Sequence, residues 1–215
     1  HRDLHSFPTR RSSDLGSNDP LLDAEMIIMA YNVFSSLGLK NINVKINSLG
    51  IPSSREIYKS ELRKYLSDKI NKLSEESKKR LDTNILRIFD SKEETDIEIM
   101  KEAPVLLSYL DDESLKQFEE VKKCLKENNI PYLIEPALVR GLDYYTNTTF
   151  EVVSGSVGSQ SALCGGGRYN LLIEQLGGKP TPGVGFAAGI ERLLLACENE
   201  GCLNLEDDKI DVYIV

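Results

Sequence analysis

The chain has 215 residues, of which 40% are hydrophobic and 28% are charged, and its formal net charge is −8. This composition is typical of a globular protein with one sizeable core, and the negative charge argues against a protein whose whole surface binds nucleic acid. No apolar run approaches the roughly 18 residues of a membrane-spanning helix. The four cysteines contain no C-x-x-C pair, so we expect reduced thiols and neither a disulfide framework nor a zinc site.

Residues 1–15, HRDLHSFPTRRSSDL, differ from everything that follows. They show no helical or strand period, and their composition is basic and serine-rich. Arginine and serine are common in transit peptides, but Asp3, Asp14 and the lack of an amphipathic stretch argue against one. We interpret the segment as non-native, similar to translated sequencing-adapter sequence, and leave it out of the fold prediction.

Residues 16–52 are predicted to form one helix and one strand. Apolar residues recur at helical spacing over 22–37, where Asp23 is a candidate cap. Gly38 stands where a helix end favours a residue that tolerates positive φ. Residues 42–46 alternate apolar and polar side chains, which is typical of a strand.

Residues 53–129 are almost wholly helical in pattern and rich in Lys and Glu. Ser53 or Ser54 is expected to open the first helix, with two more helices over 98–110 and 114–128, the last capped by Asp111 or Asp112. The buried stripe of the first helix is predicted to comprise Ile57, Leu62, Tyr65, Leu66, Ile70 and Leu73. We interpret this block as a helical insertion that interrupts a sheet.

The insertion is locally basic on an acidic protein. Residues 59–80 contain eight basic and four acidic side chains, whereas the chain after residue 130 has five basic and eleven acidic ones. Such a segment is compatible with contacts to a phosphate backbone. Charge alone favours the simpler interpretation, a solvated helix face.

Residues 130–200 change to strand periodicity. Strands are predicted around 131–135, 146–153, 160–165 and 183–187, and short helices over 171–176 and 190–200. A mostly antiparallel sheet flanked by helices is the α+β architecture. An acidic linker over 201–209 follows, and residues 211–215 begin a further apolar strand.

Three segments of this region carry the groups of a ligand site: L-V-R-G-L-D-Y-Y-T (138–146), C-G-G-G-R-Y-N (164–170) and G-V-G-F-A-A-G-I-E-R-L (183–193). Glycines let a backbone approach a ligand closely. Arginines offer planar charged forks to phosphate or carboxylate, and tyrosine hydroxyls can bind the polar edge of a small ring. We therefore expect a site for a small polar molecule together with a phosphorylated one.

The ordered set closely resembles the histidyl-tRNA synthetases, a family of class II aminoacyl-tRNA synthetases. R-G-L-D-Y-Y-T is similar to that family's histidine-recognition motif, and G-F-A-A-G-I-E-R-L to the third class II motif. The resemblance runs from Gly16 to Val215 and implies the C-terminal half of the class II catalytic fold, an antiparallel sheet flanked by helices. It divides the chain into catalytic domain (16–52 and 130–200), helical insertion (53–129), linker (201–209) and the start of a truncated anticodon-binding domain (210–215).

The resemblance implies a histidine–tRNA ligase that activates histidine with ATP to histidyl-adenylate and transfers it to tRNA(His). Mg²⁺ would be bound through ATP, and no metal site of the protein itself is expected. A cytoplasmic homodimer is implied, without membrane or DNA partners, whose insertion leans over the tRNA acceptor stem. Some relatives carry cysteines in the stretch corresponding to 73–77; this chain has Ser74 and Ser77, which excludes a metal site there.

The resemblance also assigns roles to single residues. Arg140 is the implied catalytic residue, which holds the histidine carboxylate and the α-phosphate where two anions meet. The implied histidine-binding residues are Arg140, Tyr144, Tyr145, Gly166 and Tyr169. The implied ATP-binding residues are Arg140, Gly189 and Arg192, with Arg192 on the γ-phosphate.

Several neighbouring residues are expected to have structural roles. Whichever of Tyr144 and Tyr145 points away from the pocket is equally well explained by core packing. Asn170 stands where relatives commonly carry aspartate, so no charged role is assigned to it. Asp143 and Glu191 are expected to order their neighbours, and the sequence supports no chemical role for Arg55.

Class II motifs 1 and 2 precede the matching region in the family, and residues 16–25 resemble the stretch just after motif 2. We therefore expect the chain as it stands not to aminoacylate. Two alternatives remain: the regulatory subunit of ATP phosphoribosyltransferase, a non-catalytic paralogue, and a synthetase-like module that senses tRNA or histidine. The helical insertion and the strand at 211–215 argue against the first, and the intact histidine motif argues against the second.

Overall fold

The computed structural model describes residues 9–139, 144–158 and 161–203, with the backbone alone over 9–14. Six strands form one sheet: β1 (Thr9–Leu15), β2 (Ile42–Ser48), β3 (Tyr132–Ile134), β4 (Thr146–Ser154), β5 (Ala162–Arg168) and β6 (Gly183–Gly189). Their order in the sheet is β1-β6-β5-β4-β2-β3, and neighbouring strands are antiparallel except for β2 and β3. The predicted α+β sheet is therefore confirmed.

Seven α-helices are found among the described residues: α1 (Pro20–Ser36), α2 (Pro52–Ser67), α3 (Glu75–Thr83), α4 (Glu94–Lys101), α5 (Asp112–Glu127), α6 (Leu172–Gln175) and α7 (Ile190–Asn199). Four short 3₁₀ helices cover Ile70–Lys72, Ile85–Asp90, Leu106–Tyr109 and Gly155–Val157. No helix in these described ranges is long and apolar enough to cross a membrane.

One face of the sheet forms the main core. Side chains directly opposite one another on β2, β4, β5 and β6 share a face, and two such rows are buried beneath α1 and α5. These rows consist of Val44, Val152, Cys164 and Ala188, and of Ile46, Phe150, Gly166 and Phe186. The helices bury their apolar stripes against these rows. The opposite face of the sheet, which we call the open face, is partly exposed at Lys45, Glu151, Gly165 and Ala187 and buried at Asn47, Thr149, Gly167 and Gly185.

A second core lies inside the helical insertion. Tyr58, Leu62 and Leu66 of α2 are fully buried, and they pack with residues of the following helical segments and with Leu49 and Val139. The predicted stripe is therefore wrong at two positions, because Ile57 and Ile70 are exposed. The period of 3.6 allows adjacent stripes, and here contact with the second core selects the one that contains Tyr58.

Helix α5 belongs by packing to the sheet. Phe118, Val121 and Leu125 lie in the main core beside α1, not in the second core. The predicted insertion of 53–129 thus includes a helix that covers the sheet. Its predicted cap is confirmed at Asp111, whose carboxylate accepts from Ser114 N at 3.0 Å.

Three helix boundaries differ from the predicted ones. Helix α1 is capped by Asp19, whose side chain accepts from Leu21 N at 2.9 Å. Helix α2 begins at Pro52 without a side-chain cap; proline suits this first position because an N–H there would have no intrahelical partner. The helix predicted over 98–110 is instead the end of α4 and a 3₁₀ segment, separated near Pro104, which cannot continue a helix.

The segment left out of the fold prediction contributes to the sheet. Thr9–Leu15 pairs antiparallel with β6, from Thr9 opposite Gly189 to Leu15 opposite Gly183. An antiparallel ladder joins main-chain N–H and C=O groups, so it forms without an apolar side-chain pattern. The strand predicted over 211–215 lies outside the described residues.

All four cysteines are free thiols. Cys197 and Cys202 close the end of α7, where Cys202 N donates to Cys197 O at 2.9 Å and Gly201 has φ +65°. Burial and the neighbouring Cys202 thiol raise the pKa of Cys197 to about 11. The pair therefore acts as the apolar contact of a helix C-cap.

Candidate functional site

The three motif segments lie on adjacent strands. The first ends in the start of β4, the second is β5 with the residues after it, and the third is β6 with the start of α7. Thr146 is opposite Arg168, which is opposite Val184. The pairing thus brings together residues that are about 20 positions apart in sequence.

The open face of the sheet carries small and polar residues where these strands meet. Its two rows consist of Lys45, Glu151, Gly165 and Ala187, and of Asn47, Thr149, Gly167 and Gly185. Lys45 forms an ion pair with Glu135 at 3.0 Å at the edge of this face. Because the partly exposed positions on β5 and β6 are Gly165 and Ala187, a ligand can lie against the backbone there.

Tyr145 stands over this glycine-lined face. Its Cδ1 atom is 3.2 Å from the position that a Cβ on Gly167 would occupy, and its ring centroid is 4.9 Å from that of Tyr144. Tyr145 also packs against the second core. The ring of Tyr145 therefore has both expected positions: it packs against the second core, and it lies beside the open face.

Arg140, the implied catalytic residue, lies outside the described residues, as does Asp143. The chain just before Arg140 is held by Asn47, whose amide donates to the carbonyls of Pro136 and Leu138, both at 3.3 Å. Asn47 belongs to a row of side chains on the open face, so a residue of this face also fixes the chain where the first motif segment begins.

Two buried oxygens near this end of the sheet lack a hydrogen-bond partner among the described residues. They are Asn47 Oδ1 and Thr146 Oγ1, and both side chains are at most 3% exposed. Buried polar atoms normally have a partner. A ligand or water molecule that donates hydrogen bonds would satisfy them.

Arg55 contacts the first motif segment, a contact that the sequence analysis did not predict. It lies in the first turn of α2, is 7% exposed, and its Nη1 donates to the carbonyl of Tyr145 at 2.8 Å. The sequence offers no signal for this contact, because an arginine near the start of a helix is usually exposed to solvent.

Asn147 bends the strand directly after the tyrosine pair. It has φ +45°, its main chain bonds to Leu49 and Gly50, and its side chain bonds to Ser114 and Gln117 of α5 at 3.0 and 2.8 Å. Asparagine tolerates this conformation better than most residues. The β4 ladder shifts register at this point, so the bend separates the motif from the regular strand.

Packing requires glycine at two positions of the triplet, Gly166 and Gly167. A Cβ on Gly166 would lie 2.5 Å from Phe186 Cβ and 2.3 Å from Gly185 O, on the core face. One on Gly167 would lie 2.5 Å from Thr148 O. A side chain at Gly166 would therefore point towards the core, whereas side chains at its neighbours Gly165 and Gly167 would point to the open face.

Arg168 holds the end of β5 to the start of α1. It is fully buried, its Nη2 lies 2.6 Å from Asp23 Oδ1, and its guanidinium also donates to the carbonyls of Ser17 and Asp19 at 2.8 and 2.9 Å. Burial raises the pKa of Asp23, against the hydrogen bonds from Arg168. Arg168 is thus a structural anchor, and Asp23 is its partner instead of a helix cap.

Tyr169 and Asn170 continue this anchoring. The hydroxyl of Tyr169 donates to Val184 O at 3.3 Å, and its ring covers Gly183, where a Cβ would lie 2.5 Å from Cε2. Asn170 donates to Asn18 Oδ1 at 3.0 Å and accepts from Gly183 N at 3.2 Å. The carboxamide supplies one donor and one acceptor, which an aspartate could not do.

Arg192 lies at the other end of β5. Its Nη1 donates to Ala162 O at 3.1 Å, and Gly189, three residues before it, is the N-cap of α7. Ala162 and Arg168 are six residues apart on one strand, a distance of about 20 Å. The candidate site therefore has two ends, with Tyr145 and Tyr169 at one and Arg192 at the other.

Ser74 and Ser77, where a metal site was excluded, have a hydrogen-bonding role. Both hydroxyls donate to Asp96 Oδ2 at 2.6 Å, Ser91 does so at 2.7 Å, and Ser74 N donates to Oδ1 at 2.9 Å. Across the described ranges, no group of three or more His, Cys, Asp or Glu side chains is placed to hold a metal ion.

Comparison with known proteins agrees with this architecture. The sequence profile of the family described as histidyl-tRNA synthetase matches residues 15–193. The histidine–tRNA ligase of Geobacillus thermodenitrificans is 48% identical over 94% of this chain and 48% of its own length. The chain thus spans about half the length of the curated relatives it matches.

Solved structures show the same relation. The apo histidyl-tRNA synthetase of S. aureus superposes with a TM-score of 0.73 at 38% identity and covers 94% of this chain and 49% of its own. A protein from Bacillus halodurans, described as an ATP phosphoribosyltransferase regulatory subunit/histidyl-tRNA synthetase, has a TM-score of 0.57 at 19% identity and covers 88% of this chain and 53% of its own. At that identity, the second similarity concerns the fold alone.

Proposed function

The chain belongs to the histidyl-tRNA synthetase family, and from this premise we propose that it supplies part of the active site of a histidine–tRNA ligase. The observation that carries the proposal is one contact of each motif segment on the face opposite the main core: Tyr145 lies over Gly167 of β5, and Gly167 pairs with Gly185 of β6. Because the chain spans about half of its relatives, the activity is proposed for the whole protein.

The proposed reaction has two steps. The carboxylate of histidine attacks the α-phosphorus of ATP, the bond from that phosphorus to the bridging oxygen of the β-phosphate breaks, and pyrophosphate leaves. Mg²⁺, held by the ATP, would offset the negative charge of the phosphates. A hydroxyl at the 3′ end of tRNA(His) then attacks the carbonyl carbon of histidyl-adenylate and releases AMP. In the first step two anions approach each other, which requires a fixed positive charge, and we assign this role to Arg140.

Histidine recognition is proposed for Arg140, Tyr144, Tyr145, Gly166 and Tyr169. The placement of Tyr145 over Gly167 supports this assignment, as does Asn47 Oδ1 in the same row, which lacks a hydrogen-bond partner among the described residues. A site whose polar groups must be satisfied by an imidazole rejects apolar rings, because the groups would then stay unpaired. Because glycine has no side chain, the proposed contact of Gly166 can involve only its main-chain atoms.

ATP binding is proposed for Arg140, Gly189 and Arg192. The position of Arg192 at the far end of β5 supports this division, with the amino acid at one end and the terminal phosphates at the other. The guanidinium has further N–H donors besides the one on the Ala162 carbonyl, and these could bind a phosphate. A cytoplasmic homodimer that binds tRNA(His), partly through the helical insertion, completes the proposal.

A regulatory subunit of ATP phosphoribosyltransferase shares the fold but is disfavoured. The helical insertion has a core of its own around Tyr58, Leu62 and Leu66, and such subunits usually lack a long insertion. A sensing module without catalysis is disfavoured because the tyrosine pair is intact. The helical insertion (53–129) and the tyrosine pair therefore favour the ligase over both alternatives.

A chimera tests the proposed function. Residues 16–215 would replace the aligned segment of the Geobacillus thermodenitrificans ligase, and histidine-dependent ATP–pyrophosphate exchange and aminoacylation of tRNA(His) would be measured. We expect both activities, and loss of exchange by at least about a hundredfold in Arg140→Ala. A folded chimera without exchange would overturn the proposal. The 215-residue chain alone is expected to give no exchange.

A further inference from the structure

Arg55 connects the helical insertion to the histidine end of the candidate site. It stands in the first turn of α2, yet its guanidinium donates to the carbonyl of Tyr145, 90 positions later in the chain. Only 7% of the residue is exposed. A buried charged donor on a main-chain carbonyl makes a strong, directional hydrogen bond, so the position of this carbonyl is fixed.

The helix that carries Arg55 is itself fixed. Tyr58 and Leu62 of α2 are completely buried in the second core. Ser54 donates to Asp111 Oδ2 at 3.1 Å, which links α2 to the start of α5. The guanidinium is planar and offers its donors in a rigid fork. The helix, the side chain and the carbonyl therefore form one rigid connection.

The carbonyl in turn determines where Tyr145 points. It belongs to the peptide group between Tyr145 and Thr146, so its direction defines the backbone on which the ring is mounted. On the far side, Asn147 holds the bend through Ser114 and Gln117. Held from both sides, the ring of Tyr145 lies close over Gly167.

We propose that Arg55 is a positioning residue for histidine recognition, acting through the main chain of Tyr145 and without contact to the substrate. The inference rests on the proposed function, since it assigns the effect to histidine binding. The proposal also connects the helical insertion to the histidine-binding site, because a displacement of α2 would move the Tyr145 carbonyl through Arg55. Loss of Arg55 should therefore weaken histidine recognition and leave ATP recognition unchanged.

The test uses the chimera and pyrophosphate exchange without tRNA. Arg55→Met is expected to raise KM for histidine about tenfold or more, with KM for ATP changed less than about twofold. Arg55→Lys keeps the charge but not the planar fork, and its KM for histidine should lie between those of the wild type and Arg55→Met. Arg63→Met, an exposed position on the same helix, is the matched control and should leave both constants unchanged.

A double-mutant cycle separates positioning from general stability. If Arg55 acts through Tyr145, Arg55→Met should add less than about twofold to the KM for histidine in a Tyr145→Phe background. Multiplicative effects of the two substitutions would overturn the inference. So would equal losses for histidine and ATP, or a folded Arg55→Lys variant with wild-type constants.

Failure of the inference is distinguishable from failure of the proposed function. The unsubstituted chimera must first show exchange, and its inactivity would bear on the function alone. Thermal unfolding of each variant shows whether it is folded at the assay temperature. If Arg55→Met does not fold, the inference is tested with Arg55→Lys, alone and combined with Tyr145→Phe, by the same measurement of KM for histidine.

Discussion

Asp96 is the centre of the polar cluster in the insertion. The carboxylate is fully buried and accepts hydrogen bonds from three serine hydroxyls and one main-chain N–H. Burial by itself raises the pKa of Asp96, but the hydrogen bonds from Ser74, Ser77 and Ser91 outweigh it and lower the pKa to about 2. The ionised form therefore stabilises the fold.

This pKa predicts how stability depends on pH. Asp96→Asn should lower the free energy of unfolding by about 2 kcal/mol at pH 7. Because the pKa is below the ordinary 3.8 in the folded protein, the stabilisation is complete well above pH 3.8 and is lost as the pH falls towards 2. The difference between variant and wild type should thus shrink to roughly half by pH 3.

Urea unfolding at both pH values measures this difference. Glu94→Gln, at an exposed position on the same helix, is the control and should change the free energy of unfolding by less than about 1 kcal/mol. A difference for Asp96→Asn that is as large at pH 3 as at pH 7 would contradict the assigned role.

The buried pair of Arg168 and Asp23 gives a second prediction. Arg168→Met should destabilise the chain by about 3–5 kcal/mol, because it leaves a buried carboxylate without its partner. Asp23→Leu combined with Arg168→Met should recover part of this loss, since the pair is then replaced by apolar groups. Urea unfolding of the wild type, both single variants and the double variant measures the coupling. Additive losses would contradict a direct pair.

At the scale of the element, the ends of helices depend on glycines with positive φ. Gly38 after α1 has φ +94°, and Gly177 after α6 has φ +86°. A Cβ on Gly38 would lie 2.9 Å from Cys202 Cβ, whereas one on Gly177 would meet nothing within 4 Å. Both positions require a positive φ, but only a side chain at Gly38 would collide with a neighbouring residue.

Alanine at each position separates these effects. Gly177→Ala should lower the free energy of unfolding by about 1 kcal/mol, through backbone strain alone. Gly38→Ala should lose about 1–3 kcal/mol more, because Cys202 must shift within the packed core. Thermal unfolding of the two variants gives the comparison, and equal losses would show that the contact with Cys202 yields without strain.

For the whole molecule, the two cores predict two regions of local stability. Leu125 of α5 and Leu66 of α2 are both fully buried, one in each core. Alanine at either position should destabilise by about 2–5 kcal/mol. Leu125→Ala should increase hydrogen exchange first in α1 and β4, and Leu66→Ala first in Ile85–Asp90.

Hydrogen exchange followed by mass spectrometry checks this prediction. The wild type sets the reference for each peptide, and the two variants serve as controls for each other. If Leu125→Ala loosened α2 and Ile85–Asp90 before α1 and β4, α5 would belong to the insertion, as the sequence pattern predicted. The observed packing leads us to expect the opposite order.

Most of the regular elements were predictable because their signals are local. The apolar period of α1, the alternation in β2 and the Asp111 cap of α5 depend on residues within one or two turns, and the structure confirms all three. The predictions that were wrong concern choices that local pattern leaves open. Ile57 and Tyr58 are adjacent candidates for the buried stripe of α2, and only the second core selects between them.

The candidate site was predictable as a set of segments but not as a set of contacts. Glycine, arginine and tyrosine clusters marked the three segments, and antiparallel pairing brought them together as expected. The partners of Arg168 and Arg55 could not be foreseen: Asp23 is 145 positions from Arg168, and Tyr145 is 90 from Arg55. An arginine looks the same in sequence whether it binds a ligand, a carboxylate or a carbonyl.

The sequence by itself determined the family, the α+β class and the strands on which the site is built, because motifs and periods are properties of neighbouring residues. The tertiary structure alone decided that Arg168 is an anchor, that Gly166 faces the core and that Arg55 donates to the main chain of Tyr145. These roles depend on which face of a strand or helix meets which neighbour. That is set by the path of the whole chain and by the burial that makes an unpaired polar group costly.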